Sequence, residues 1–176
     1  MFWRKDKKRR LDEFEKNLIS HVEEHGFSAN YVFDPDGKEP DFTYSIGFRK
    51  TLNCSDFIVF GLPKELMHNM LWEVFRQVKA GKVPDDGIEW DDLLLGQKCV
   101  SKRLHPSNHT SEFLSSSLWY NRYLGHEAKD FEAFQLVWPG SNDRKFPWEE
   151  GAHISVIEAQ PPLWLEAEKT VRESSD

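Results

Sequence analysis

Two histidines and a glutamate near the start of the chain have the spacing of a zinc-binding helix. His21, Glu24 and His25 match the H-x-x-E-H pattern of inverted zinc proteases. Histidines four residues apart share one face of a helix and can both reach a Zn²⁺ ion, while the glutamate activates water. A histidine in the last helical turn also complements the helix dipole, and Gly26 ends the helix at once. We therefore predict no resident metal or cofactor, and keep these three residues as the candidate ligands.

The remaining histidines and serines form no recognisable catalytic set. His105 and His109 flank a Pro-Ser-Asn turn, and Ser115-Ser-Ser117 lies within a predicted helix rather than in a G-x-S-x-G elbow. The chain contains neither a Walker loop nor a G-x-G-x-x-G segment, so a phosphate-binding loop is not indicated. The sequence leaves catalysis open and favours a protein that is not an enzyme.

A proline-flanked aromatic segment is the strongest candidate for a binding site. The apolar run that begins at Gln135 ends in Trp138-Pro139, and Pro147-Trp148-Glu149 follows after a polar turn. Proline fixes the backbone, and tryptophan offers a large rigid surface with one N–H donor. Such a corner either closes the end of a sheet by packing or presents a binding surface. The binding candidates are Tyr44, Gly47, Trp138, Pro139, Pro147, Trp148 and Glu149.

Apolar periodicity predicts the elements that position these side chains in the first half of the chain. A helix is predicted from Leu11 to His25, and alternating residues predict strands over 27–33 and 42–48. The turn Asp34-Pro-Asp-Gly37 joins the two strands into a hairpin. Gly47, inside the second strand, indicates a bulge or a close approach of the backbone.

The rest of the chain alternates between strands and helices. The fully apolar segment 57–60 predicts a central strand, and residues 64–79 carry the apolar stripe of a helix that ends at Gly81. Further elements are predicted as an acidic solvated loop over 83–96, strands over 98–104 and 131–138, a helix over 111–123, and an edge strand over 152–159.

The order of these elements indicates the fold class. Because the first strands are linked by a hairpin, we predict an α+β fold with a mostly antiparallel sheet packed by two or three helices. Residues 1–10 form a basic N-terminal arm, residues 11–165 a single α+β domain, and residues 166–176 a flexible acidic tail.

The distribution of charge limits the classes of partner. The net charge is −7, but residues 1–10 carry six basic side chains against Asp6, or +5, which leaves −12 on the remainder. An acidic body repels phosphate backbones, so we predict no nucleic-acid binding except through residues 1–10. The expected partner is an unidentified protein or small molecule, and the oligomeric state is left open.

Apolar segments and cysteines indicate the compartment. The longest apolar run, 57–62, is far shorter than the roughly 20 residues of a membrane-spanning helix. The basic start is followed by charged residues rather than by the apolar core of a signal peptide. Cys54 and Cys99 stand alone, which is typical of reduced thiols. We predict a cytoplasmic protein without membrane contact.

Several motifs, taken in order, carry a family resemblance. They are His25-Gly26-Phe27, Phe42-Thr-Tyr-Ser-Ile-Gly-Phe48, Ser55-Asp-Phe-Ile-Val-Phe-Gly-Leu-Pro63, Gln135-Leu-Val-Trp-Pro-Gly140 and Pro147-Trp-Glu149. This order resembles the bacterial domain-of-unknown-function family 4262, whose pattern is YTIGL … FGLP … QLVWP … PWE, over residues 18–163. Here Phe48 replaces a leucine, Ser55-Asp56 replaces Pro-Glu, and Gly140 replaces an aspartate. The resemblance implies one domain of bacterial or phage origin and brings no activity.

Three functions remain open from the sequence. The first is a non-catalytic binding or regulatory module that uses the aromatic segment. The second is a small metal-assisted hydrolase that draws on the His21–His25 helix and on His105 and His109. The third is a nucleic-acid accessory protein that binds through its basic arm.

Overall fold

Helix α1 spans Glu13–His25 in the computed structural model, which describes residues 9–168. It begins with a reciprocal capping box, because Asp12 Oδ1 accepts the Glu15 N–H at 2.8 Å and Glu15 Oε2 accepts the Asp12 N–H at 3.0 Å. It ends at Gly26, whose φ of 95° is left-handed. The predicted first helix is thus confirmed, whereas most of the basic arm and of the acidic tail lies outside the described residues.

Strands β1 (Ser28–Val32) and β2 (Phe42–Ile46) pair antiparallel, which confirms the predicted hairpin. The Asp34 carboxylate holds the connecting turn, since it accepts the backbone N–H groups of Asp36, Lys38 and Glu39. These hydrogen bonds hold the pKa of Asp34 below its usual value.

Between β2 and β3 (Asp56–Phe60) lies a short helix, α2 (Phe48–Leu52), where the sequence predicted the end of a strand. Gly47 allows the change of direction with a φ of 104°. A Cβ atom at this position would lie 2.6 Å from Val22 Cγ1, so the backbone approaches α1 closely. The close approach predicted at Gly47 is confirmed.

Gly47→Ala is expected to lower the free energy of unfolding by about 2 kcal/mol, because the new methyl group meets Val22 in a strained backbone conformation. Gly37→Ala is the control, since Gly37 also has a positive φ, 66°, but has no atom within 4 Å of an added Cβ. That control should cost about 1 kcal/mol or less in urea unfolding. Equal losses in the two variants would contradict the tight contact with α1.

Helix α3 (Lys64–Lys79) is confirmed, but the segment predicted as a solvated loop, 83–96, contains a strand, β4 (Glu89–Leu94). It pairs antiparallel with β5 (Gln97–Arg103), and the register shifts between Trp90 and Leu94. The register shift breaks the alternation of apolar and polar residues along β4. Because acidic residues surround the fully buried Trp90, the sequence pattern indicated a solvated loop instead of a strand.

Helix α4 (Ser111–Tyr123) and strand β6 (Ala133–Val137) confirm two further predictions. The edge strand predicted over 152–159 is wrong, because the chain forms the short helix α5 (Ile154–Glu158) there. His153 begins this helix through its Nδ1, which accepts the Ser155 N–H at 3.2 Å.

The six strands form one sheet in the order β1-β2-β3-β6-β5-β4, and only the central pair β3–β6 is parallel. The fold is therefore α+β with a mostly antiparallel sheet, as predicted, and three long helices pack on it beside the two short ones. The predicted central position of β3 is also confirmed. Within residues 9–168, every helix is too short or too polar to span a membrane.

Each face of the sheet carries its own hydrophobic core. On one face α3 contributes Met67, Met70 and Leu71 to a cluster that also contains Phe57 and Trp90. On the other face α1 and α4 pack against a cluster that contains Tyr44, Ile58 and Tyr120. Both faces of β3 are buried, which explains why residues 57–60 are all apolar.

Candidate functional site

Trp138 follows directly after β6 and is locked into the protein by three hydrogen bonds. Its indole Nε1–H donates to the Phe60 carbonyl at 2.8 Å. Its backbone N–H donates to Gln160 Oε1 at 2.9 Å, and Gln160 Nε2 donates to the Trp138 carbonyl at 2.8 Å. The ring packs against the core on the α3 side. Trp138 thus serves packing and fixes the end of the strand.

A second buried glutamine, Gln135 on β6, holds the segment that follows Gln160 against this strand. Gln135 is fully buried, and its Nε2 donates to the Pro161 carbonyl at 2.9 Å while its Oε1 accepts the Leu163 N–H at 3.2 Å. Together with Gln160, which is 1 % exposed, it holds residues 160–163 against β6. The segment that includes Trp164 therefore rests on a rigid base.

Trp148, in contrast, is 46 % exposed. Its ring stacks on Phe146 with a centroid separation of 4.9 Å and an interplanar angle of 3°, and it meets Trp164 edge-on at 5.6 Å. The ammonium group of Lys102, on β5, lies 5.2 Å from the Trp148 ring centroid. We name Phe146, Trp148, Trp164 and Lys102 the Trp148 surface. It presents a preorganised aromatic ring to solvent.

The turn that carries Trp148 is closed by Glu149. Its Oε2 accepts the Phe146 N–H at 2.6 Å, and its own N–H donates to the Phe146 carbonyl at 3.0 Å. Pro147 is half-buried between them, and Pro139 is buried. Glu149 therefore positions Phe146 and Trp148, the aromatic pair.

Phe146 also borders a cavity of about 310 Å³ beside the Trp148 surface. Lys98 and Arg144 line the same cavity, so cationic groups lie next to its apolar wall. Within residues 9–168, Lys98 pairs with Glu89, whereas neither Lys102 nor Arg144 has a carboxylate within 4.0 Å. The surroundings of the aromatic pair therefore favour a ligand that joins an apolar group to a negative charge.

Tyr44 and Gly47 contact other parts of the fold than Trp138 and Trp148 do. Tyr44 is 1 % exposed, and its hydroxyl accepts from Asn30 Nδ2 and from the Ser116 N–H, each at 3.1 Å. Gly47 faces Val22 of α1. These two candidates hold β1, β2, α1 and α4 together, and they do not join Trp148 in one surface.

A buried carboxylate that the sequence analysis did not select as a candidate lies at the start of β3. Asp56 is 2 % exposed, and its Oδ1 accepts from Ser45 Oγ at 2.8 Å and from the Phe48 N–H at 3.2 Å. Its Oδ2 accepts from Ser117 Oγ at 2.6 Å. Burial raises the pKa of Asp56 to about 6, although these hydrogen bonds act in the opposite direction. The carboxylate joins β2, α2 and α4.

The residues proposed for a metal-assisted hydrolase lie at two places. The rings of His21 and His25 are 4.5 Å apart on the exposed side of α1, with Glu24 3.7 Å from His25 Nε2. His105 instead begins a short 3₁₀ turn, and burial lowers the pKa of His109. Across residues 9–168, no group of three or more His, Cys, Asp or Glu side chains could hold a metal ion.

Two histidine–serine pairs have the contact expected of a nucleophile and its base. His153 Nδ1 lies 2.7 Å from Ser155 Oγ, and both residues line a cavity of about 220 Å³ together with Asp143. The same contact recurs at 2.8 Å between His105 and Ser107, again at the first turn of a helix. In both pairs the histidine nitrogen accepts the serine N–H, so the shared geometry is that of a helix cap.

Comparisons with known proteins identify one family for this chain. No curated protein and no solved structure matches the chain. The family model described as "Domain of unknown function (DUF4262)" matches residues 21–153, which include β1 to β6 and the whole aromatic segment from Gln135 to Glu149. The protein therefore belongs to the DUF4262 family.

Proposed function

We propose that the protein is a non-catalytic binding module whose Trp148 surface receives an apolar or aromatic side chain of a partner protein. The observation that carries this proposal is that Trp148 is 46 % exposed while Phe146 and Trp164 hold its ring in place. Tryptophan side chains that are fixed before binding are frequent centres of protein interfaces, because little conformational entropy is lost on association.

Exposed apolar residues close to Trp148 along the chain, and two cations beside the aromatic pair, support a protein partner of a particular chemistry. Ile154, Ile157 and Leu165, which are 41–58 % exposed, lie in the same stretch of chain as Trp148. Lys102 and Arg144 have no carboxylate partner within residues 9–168 and lie beside the aromatic pair. A partner segment with an aromatic or aliphatic residue next to aspartate or glutamate would satisfy both features.

We further propose that the protein works in the bacterial cytoplasm. Cys54 and Cys99 are both free, and burial raises the pKa of each thiol to about 12. Protonated thiols, one half-buried at Cys54 and one buried at Cys99, suit a reducing compartment. The basic-arm alternative concerns residues 1–8, outside the described part of the chain, together with Arg9 and Arg10.

Selection of displayed random peptides on the immobilised protein tests the binding proposal. We expect enrichment of peptides in which an apolar or aromatic residue neighbours an acidic one. Trp148→Ala should weaken the best peptide by roughly thirtyfold, the effect of losing an interface hot spot. Lys102→Gln should weaken it less and reduce its sensitivity to salt.

The matched control is Phe14→Ala, because Phe14 is 59 % exposed and lies on α1. This variant should bind the selected peptide as tightly as the unchanged protein. Peptides that bind Trp148→Ala with undiminished affinity would show that the partner site lies elsewhere.

A further inference from the structure

A further cavity lies toward the β1 edge of the sheet, far from β5, between the β1–β2 hairpin and the start of α3. Its volume is about 410 Å³, within the range of small-molecule sites. We name it the α3 pocket, and its lining includes Tyr31, Thr43, Lys64, Glu65, His68 and Asn69. None of these residues belongs to the Trp148 surface, so the pocket is a separate candidate.

The inner wall of the α3 pocket contains a polar group without a partner. Thr43 is 2 % exposed, and its Oγ1 makes no hydrogen bond within the described residues. A buried hydroxyl without a partner is unfavourable by itself, and a ligand atom that bonds to it removes that cost. The hydroxyl is closed to solvent, so this contact requires a small change in the Thr43 rotamer.

An aromatic wall stands beside this hydroxyl. The Tyr31 hydroxyl donates to Asp41 Oδ2 at 2.5 Å, which fixes the ring, and the Lys64 ammonium lies 5.1 Å from the ring centroid. Tyr31 also stacks on Phe33 at 5.9 Å. A fixed ring of this kind suits an apolar or aromatic part of a ligand.

Two opposite charges lie on the lining of the α3 pocket. Lys64 and Glu65 are exposed, and neither forms an ion pair with any residue of the range 9–168. A simple anion would find Lys64 but would also meet Glu65, and a simple cation would meet the reverse arrangement. A small molecule that carries both an ammonium and a carboxylate group can satisfy both side chains.

We propose that the α3 pocket binds a small zwitterion of the α-amino-acid class with an apolar or aromatic side chain. Its carboxylate pairs with Lys64 and its ammonium group with Glu65, while its side chain lies against Tyr31 near Thr43. The pocket selects its ligand through the two charges together, and the Trp148 surface takes no part.

Three probes with the same phenylethyl body test the charge requirement: L-phenylalanine, 3-phenylpropanoate without the ammonium group, and phenethylamine without the carboxylate. Each is titrated into the ¹⁵N-labelled full chain to roughly 10 mM, a concentration that reveals weak small-molecule binding. We expect L-phenylalanine to shift the amide resonances around Tyr31, Thr43 and Lys64. The other two probes should bind at least about tenfold more weakly.

Variants of the pocket complete the experiment. Lys64→Gln and Glu65→Gln should each weaken L-phenylalanine binding by about tenfold or more, and Thr43→Val should weaken it with little change in shape. Lys79→Gln, at the other end of α3, and Glu112→Gln, on α4, are the charge controls and should leave binding unchanged. Equal binding of the three probes, no binding of L-phenylalanine, or equal loss in the controls would overturn the proposal.

Discussion

Asp56→Ala is expected to lower the free energy of unfolding by about 3–5 kcal/mol at about pH 4.5. The substitution leaves Ser45 Oγ, Ser117 Oγ and the Phe48 N–H without the acceptor that joins three elements. Asp56 is 2 % exposed, so solvent cannot replace the lost hydrogen bonds without opening the core. Urea unfolding followed by circular dichroism measures the change.

This loss should become smaller as the pH rises. Burial raises the pKa of Asp56 to about 6 in the folded protein, above the unfolded value of 3.8, so folding favours the protonated form. The stabilising contribution of Asp56 is complete below about pH 4 and is lost as the pH rises through about 6. Between about pH 4 and about pH 7 this contribution to the free energy of unfolding falls by about 3 kcal/mol.

Asp56→Asn is the matched control for this pH dependence. The amide keeps the shape and can accept from Ser45 and the Phe48 N–H, so the variant should lose about 1 kcal/mol or less at about pH 4.5. Its stability difference from the unchanged protein should narrow or reverse toward about pH 7. A constant difference from about pH 4.5 to about pH 7 would show that Asp56 does not titrate in this range.

Trp138→Ala is expected to lower the free energy of unfolding by about 3 kcal/mol, because the change removes core packing and the hydrogen bond to the Phe60 carbonyl. Trp138→Phe keeps an aromatic ring but removes the Nε1–H donor and part of the packed indole, and it should cost about 1–2 kcal/mol. Trp148→Ala should cost about 1 kcal/mol or less, since Trp148 is 46 % exposed. Guanidinium unfolding midpoints at constant slope measure all three variants.

The order of these three losses is the decisive result. If Trp148→Ala destabilises the protein as strongly as Trp138→Ala, then both tryptophans serve packing. The proposal that the exposed Trp148 ring forms a binding surface would then lose its main support.

Elements whose residues carry their own pattern could be predicted from the sequence. The stripe of α3 and the alternation of β2 were sufficient to place both. The strand β4 was missed because its register shift puts the buried Trp90 and Leu93 three residues apart, among aspartates. The helix α5 was missed because its start depends on a histidine cap and because Val156 alone is buried in it.

The site could be predicted only in part, for a related reason. The sequence selected Trp138 and Trp148 together, since each adjoins a proline, and could not tell which one packs. That distinction depends on the Phe60 carbonyl, 78 residues from Trp138. Asp56 was not selected because its partner Ser117 is 61 residues away and brings no motif with it. The α3 pocket likewise arises from strands and a helix that meet only in the folded chain.

The central claim is that Trp148 contacts a partner protein, and site-specific photocrosslinking tests it most directly. A photoreactive p-benzoylphenylalanine at position 148 is irradiated in extract from the cells that make the protein, with position 14 on α1 as the control. We predict one dominant covalent adduct at position 148, which an excess of the selected peptide prevents, and no such adduct at position 14. The same set of adducts at both positions, unaffected by the peptide, would contradict the claim.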